Sequence, residues 1–231
     1  MDTINRLIEQ FRQFPGIGPR QAKRFVYFLL SQPESYRATL MKTVGELGKH
    51  IRVCRECHRF FPISAGSAIV SLCPICSDPN RNNETLMIVS RDVDFENIEK
   101  SHSYTGKYFI LGGSIPILEK EPESRIRLRE LKTLIENRAT NKQALETNKQ
   151  ALKGAPTTSE SLKEIIFALN LTPEGENTEE YLRSVLAPLL EKLPHGASSI
   201  SLSSLGRGLS TGLELEYSDS DTIKNALKNR S

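Results

Sequence analysis

Phe14-Pro15-Gly16-Ile17-Gly18-Pro19-Arg20-Gln21-Ala22-Lys23-Arg24 sets two glycines around one isoleucine, with a proline on each side. Glycine accepts backbone angles that other residues avoid. The second proline can begin a helix, because its missing N–H falls among donors that would be unsatisfied anyway. To the left, Ile4, Leu7, Ile8 and Phe11 recur at helical spacing, and Phe14 closes the run, which predicts a helix over residues 3–13. To the right, Ala22, Phe25, Val26, Phe28, Leu29 and Leu30 predict a second. The stretch reads as helix, tight hairpin, helix, with Ile17 in the groove between. The N–H groups opening the second helix, backed by its dipole, suit a phosphate. Arg20, Lys23 and Arg24 follow on its first turns, and Arg12 is a further candidate cation. The competing reading is an ordinary turn whose glycines only cap a helix.

The second helix carries more apolar surface than one partner helix can cover. A further contact, within the domain or across a subunit interface, is expected. Ser31-Gln32-Pro33-Glu34-Ser35 breaks the chain, and Tyr36, Leu40, Val44, Leu47 and Ile51 mark a third helix. It leads into Cys54-Arg55-Glu56-Cys57 and Cys73-Pro74-Ile75-Cys76, which hold all 4 cysteines of the chain. Two such knuckles complete a closed, tetrahedral site of four sulfurs. Zinc suits these ligands better than an iron–sulfur cluster. With no open position, the metal is expected to be structural. His58, next to Cys57, is read as an exposed histidine, not a fifth ligand.

The bulk composition is less directive. Of 231 residues, 38% are hydrophobic, with a mean hydropathy of −0.37. No apolar run approaches the roughly 18 residues of a membrane span. The N-terminal segment, with Arg6, Glu9 and Arg12, lacks the pattern of a signal peptide. A cytoplasmic setting is expected, which disfavours disulfides. The net charge of +3 is unevenly spread: residues 1–59 carry +6 and the remainder −3. A polyanion partner at the N-terminal end fits that asymmetry.

Beyond Cys76 the pattern becomes α/β. Leu86–Val89, Tyr108–Leu111 and Glu164–Leu169 read as strands, with helices around Val93–Glu99, from Ile126 to Ile135 and from Tyr181 to Leu193. Ser199–Leu202 and Leu213–Tyr217 are expected as short strands, and Ile223–Leu227 as a terminal helix. Such alternation predicts a mainly parallel sheet covered on both faces. Thr140-Asn141-Lys142-Gln143-Ala144-Leu145 recurs one heptad later, from Thr147 to Leu152. A duplication lengthening a helix or loop explains it more simply than a coiled coil.

Asn170-Leu171-Thr172-Pro173-Glu174-Gly175-Glu176 reads as a polar loop at the carboxyl end of the third strand, where parallel sheets bind ligands. In enzymes of the Toprim superfamily, which this half resembles, a glutamate and closely spaced aspartates there bind magnesium. Here Ser90, Asn170 and Thr172 stand at those places. Asp92, Asp94, Glu174 and Glu176 could assemble a displaced site. An inert domain is the preferred reading, with a magnesium-dependent nuclease- or primase-like enzyme as the alternative.

In order, these parts resemble the RecR family of bacterial recombination mediators. The resemblance rests on the hairpin, the cysteine pairs, Gly106–Gly113 and Ala168–Thr178, with Arg207-Gly208-Leu209, Gly212 and Leu215-Glu216-Tyr217 toward the end. It implies an α+β multi-domain chain: a helix-hairpin-helix domain over 1–53, a zinc finger over 54–79, a Toprim-like domain over 80–195 with an insert about 138–158, and a strand-and-helix tail over 196–231. It implies a non-catalytic DNA-repair protein, cytoplasmic and nucleoid-associated, assembled as a ring-like tetramer. Such a protein binds single- and double-stranded DNA through Gly16, Ile17, Gly18, Arg20, Lys23 and Arg24. It acts with RecO, and in some contexts RecF, to load recombinase onto single-stranded DNA. Glu174 and Glu176 are implied as the surface toward RecO, and the segment near Ile223–Leu227 as a subunit contact. The sequence departs from the family at Ser90, at Glu119-Lys120-Glu121-Pro122 and at Ser210–Leu213.

Overall fold

A computed structural model describes residues 2–63, 70–139, 161–193, 200–206, 215–218 and 220–228. They fall into two compact units. One holds the described residues up to Ile51 with Pro62 and Ile63; the other holds Arg52–Phe61 and the described residues from Val70 onward.

The first unit is helical. Helix α1 (Thr3–Phe11) starts at Asp2, whose carboxylate accepts the Asn5 N–H at 2.8 Å. Helix α2 (Pro19–Ser31) starts with its proline in the first turn and packs on α1 through Phe25, 5.7 Å from the Phe11 ring. Ala22 and Val26 are the buried side chains of α2. Helix α3 (Glu34–His50) buries none: Tyr36, Leu40, Met41, Val44 and Leu47 are all exposed.

A two-stranded ribbon, β1 (Ile51–Val53) and β2 (Phe60–Pro62), precedes the short helix α4 (Pro74–Ser77). The main sheet then forms from β3 (Asn82–Val89), β4 (Gly106–Ile110), β5 (Glu164–Ala168) and β6 (Ser201–Ser204). Its order is β4-β3-β5-β6, and every pairing is parallel. Helices α5 (Asp92–Lys100), α6 (Leu128–Ala139), α7 (Pro173–Glu191) and α8 (Ser220–Lys228) accompany it. Strand residues alternate between faces. Leu86, Ile88, Phe109, Ile165 and Phe167 join Leu131, Ile135, Leu182 and Leu186 of α6 and α7 in one core. On the other face, Tyr108 meets Phe95 of α5 edge-on, with ring centres 4.8 Å apart. The expected α+β class, with its hairpin, cysteine module and parallel sheet, is present.

Local expectations are corrected in two places. The polar segment after β5 is not a loop: Thr172 caps α7, Pro173 opens it, and Glu174 and Glu176 lie in its first turn. Leu215–Tyr217 forms a single 3-10 turn and not a strand, while 213 and 214 lie outside the described residues. Ile223, Ala226 and Leu227 of the terminal helix are buried in the chain's own second unit, beside α5. Helix α7 runs through Pro188. The heptad repeat and Arg207–Leu213 lie outside the described residues.

Candidate nucleic-acid interface and metal centre

The hairpin is built by its own backbone. The Ile17 N–H donates to the Phe14 carbonyl at 3.1 Å, and Gly16 sits at φ 73°, the left-handed region that glycine occupies freely. Ile17 is half-buried. Gly18 is the N-cap of α2 and has no side chain to cap the helix; its carbonyl accepts the Ala22 N–H at 3.0 Å. The amides of the first turn, beginning with Arg20 and Gln21, are thus left for an outside acceptor. Arg20, Lys23 and Arg24 are all exposed, on turns one and two. Their spacing, three and four residues, puts them on one face. Arg12 differs: its guanidinium holds Glu9 at 2.8 Å, so its charge is already partnered.

The four cysteines converge. Their sulfurs lie within 4.8 Å of one another and all four side chains are buried. Cys57 and Cys73 sulfurs are 3.6 Å apart, far beyond a disulfide and close to the roughly 3.8 Å edge of a tetrahedron with metal–sulfur bonds of about 2.3 Å. Backbone N–H groups point at the sulfurs: Cys73 N to Cys54 Sγ at 3.3 Å, and Cys76 N to Cys73 Sγ at 3.5 Å. Hydrogen bonds from the other three thiols push Cys54 well below the usual thiol range, and the same bonding pushes Cys57 and Cys76 well above it. A cation would let all four ionise together. The residues therefore fit one metal ion, held by four thiolates with no place for substrate. His58 is half-buried, not exposed: it stands at φ 59° with its ring 5.4 Å from that of Phe109, and burial lowers its pKa.

The module is joined to the edge of the main sheet. Ile110 N, at the end of edge strand β4, donates to the Cys57 carbonyl at 2.8 Å. The buried Lys107 ammonium donates to the carbonyls of Ile75, Cys76 and Asp78 at 2.8, 3.0 and 2.9 Å. Arg138 of α6 reaches Glu56, inside the first knuckle, at 3.3 Å. These contacts were not read from the sequence. The available signal was a lone lysine in an otherwise apolar strand run.

At the carboxyl ends of β3 and β5, most polar groups are taken up internally. Asp92 Oδ1 accepts the Phe60 N–H at 2.8 Å. Asp94 is buried and accepts the Arg91 N–H at 3.0 Å in a capping box. Asn170 Oδ1 accepts the Leu215 N–H at 3.0 Å, and Thr172 Oγ1 the Gly175 N–H at 3.2 Å. A Cβ on Gly175 would lie 1.9 Å from the Asn170 carbonyl oxygen, so this helix start admits only glycine. Ser90 is buried where an acid would project, and its Oγ meets no hydrogen-bond partner among the described residues. Among the described residues, the cysteines are the only group of three or more potential ligands drawn together, and the displaced carboxylate site is not assembled. A cleft of about 830 Å³ beside Gly112 is lined by Lys120, Arg125, Arg127 and Arg129 against Glu121, Glu123 and Glu130; of the cations, Arg127 is spent on the Ile110 carbonyl and Arg125 on Glu119.

No helix among the described residues is long and apolar enough to cross a membrane. Residues 4–46 match the helix-hairpin-helix model of RecR, and residues 84–200 match the Toprim domain model. The Recombination protein RecR of Legionella pneumophila (strain Philadelphia 1) is 31% identical over 230 residues, covering 100% of this chain and 96% of the relative. That of Bifidobacterium animalis subsp. lactis is 32% identical over 228 residues, covering 99% and 95%. That of Gloeothece citriformis is 31% identical over 227 residues, covering 98% and 94%. Hairpin, cysteine centre, parallel sheet and full-length similarity lead to one conclusion: the chain belongs to the RecR family of recombination proteins.

Proposed function

We propose that this chain is a DNA-binding recombination mediator without catalytic activity, working in the cytoplasm at the nucleoid. The exposed Arg20/Lys23/Arg24 face beside the uncapped start of α2 carries this reading. Side chains neutralise phosphates and hairpin amides position the backbone around Gly16, Ile17 and Gly18. Such contacts bind without reading bases, so single and double strands are both ligands. Zinc is the ion assigned to Cys54, Cys57, Cys73 and Cys76, on the softness and number of the ligands.

The four-part division at residues 53, 79 and 195 is retained as functional modules. Assembly into a ring, a tetramer by family resemblance, is supported by the apolar side chains that α2 and α3 leave exposed: Tyr27, Phe28, Leu40, Met41, Val44 and Leu47. A ring of basic hairpins would add avidity to weak single contacts. RecO, and in some contexts RecF, are the proposed partners in loading recombinase. Glu174 and Glu176, at the start of α7, form the proposed RecO surface, and both are exposed. The internal use of Asp92, Asp94, Asn170 and Thr172 supports the non-catalytic reading over a magnesium enzyme.

Mass measurement in solution, with and without short single-stranded and duplex DNA over a salt series, tests the proposal. An oligomer that binds both, with affinity falling steeply as salt rises, is the expected result. A monomer that ignores DNA at low salt would reject it.

A further inference from the structure

The second knuckle of the cysteine centre is held by a buried positive charge that ordinary packing does not call for. Lys107 lies in β4, where every residue is buried. Its ammonium has three donors, and all three are used on carbonyl oxygens: Ile75, Cys76 and Asp78. Those bonds meet its geometry but bring no formal negative charge. Burying an ammonium without a counter-charge costs stability. Burial pulls the Lys107 pKa down; against it act the charges of Cys76, Glu56 and Asp78, with Arg138 opposing them. Glu56 is shared with Arg138 at 3.3 Å, while Asp78 keeps its charge on accepting the Asn80 N–H at 2.9 Å. Of the anions that face the ammonium, the Cys76 thiolate acts on it most strongly, and Cys76 belongs to the cluster.

Four thiolates around a divalent ion carry a formal charge of −2, buried with the cysteines. Lys107 grips the peptide units of Ile75 and Cys76, so its charge is fixed against that cluster. The same strand reaches the first knuckle through Ile110 N and the Cys57 carbonyl. Strand β4 thus touches both knuckles, three residues apart. Outer groups of this kind orient metal ligands and tune affinity.

We propose that Lys107 is a positioning residue for the metal centre: its charge offsets the metal–thiolate cluster, and β4 is the element through which metal occupancy is felt in the main sheet. The inference rests on the metal-centre reading and adds to it a residue that is no ligand.

The test uses the full chain loaded with Zn2+. Zinc release to excess chelator is timed for wild type, Lys107→Met and Lys107→Arg. Release from Lys107→Met should be roughly 10–100-fold faster, with Lys107→Arg closer to wild type. In parallel, amide exchange is followed in wild type before and after zinc removal. The amides of β4 should lose protection while those of β5, deeper in the sheet, keep theirs. Should Lys107→Met not fold, the exchange result decides. Release from folded Lys107→Met within about twofold of wild type would overturn the proposal. So would β4 protection indifferent to zinc. Wild type that binds no zinc at all would instead overturn the metal reading beneath it.

Discussion

The two units treat their side chains in opposite ways. The α/β unit turns Leu86, Ile88, Phe109 and Phe167 inward and consumes Asp92, Asp94, Asn170 and Thr172 as caps and ties. The helical unit leaves apolar residues of α3 and cations of α2 in the open. A site that holds a ligand must have unspent donors or charges. By that criterion the place where a parallel sheet usually binds is mostly spent, with Ser90 Oγ left over, and the hairpin is open. The difference teaches that similarity of fold to an enzyme is not by itself a site, because chemistry depends on which polar groups at its mouth stay unengaged.

Three variants would break or sharpen this contrast. The largest effect is expected at the proposed metal centre, which is tied to the inward-looking unit through Lys107 and Ile110. Cys73→Ser should abolish stoichiometric zinc and lower stability by several kcal/mol, on the order of a structural metal site. Metal analysis with thermal melting checks it, and an unchanged melting curve would show that the sheet does not need the module.

On the outward-looking unit, Met41→Glu with Val44→Glu should barely alter secondary structure, because both side chains are exposed, Met41 at 74%. A stability change within about 0.5 kcal/mol is expected for such surface positions. Mass in solution should nevertheless fall, since a charged pair on this face opposes subunit contact. An oligomer of unchanged mass would place the assembly surface elsewhere.

Smaller still is Gly16→Ala. A Cβ there meets open space, so only the left-handed backbone resists it, at about 1–2 kcal/mol. Chemical denaturation should register that cost together with weaker DNA binding. Weaker stability without weaker binding would separate hairpin shape from DNA contact.

What the sequence disclosed follows from distance along the chain. The hairpin and knuckles are local: glycine, proline and cysteine act within a few residues, and their spacing carries the geometry. The buried strands were legible because both faces are covered, giving continuous apolar runs. Legibility failed where local signals pointed two ways. Asn170–Glu176 looks like a loop through its proline and glycine, yet Pro173 is a helix opener after the Thr172 cap, and Gly175 is demanded by the Asn170 carbonyl. Helix α3 read as an ordinary amphipathic helix, and nothing in its spacing says whether its apolar stripe is covered by its own chain. The partners of Lys107 lie about 30 residues away, and Glu56 lies 82 from Arg138. Those ties become visible only once the strand and knuckles are placed.

The contrast itself is tested by reversing two charges in each unit and titrating both variants, with wild type, against single-stranded and duplex DNA over a salt series. Lys23→Glu with Arg24→Glu alters the hairpin face. Lys120→Glu with Arg129→Glu alters the exposed cations of the cleft on the α/β unit. The account predicts a loss of at least about tenfold for the hairpin pair at moderate salt, with a shallower salt slope, and a much smaller loss for the cleft pair. Equal losses in the two variants, or full affinity in the hairpin pair, would contradict it.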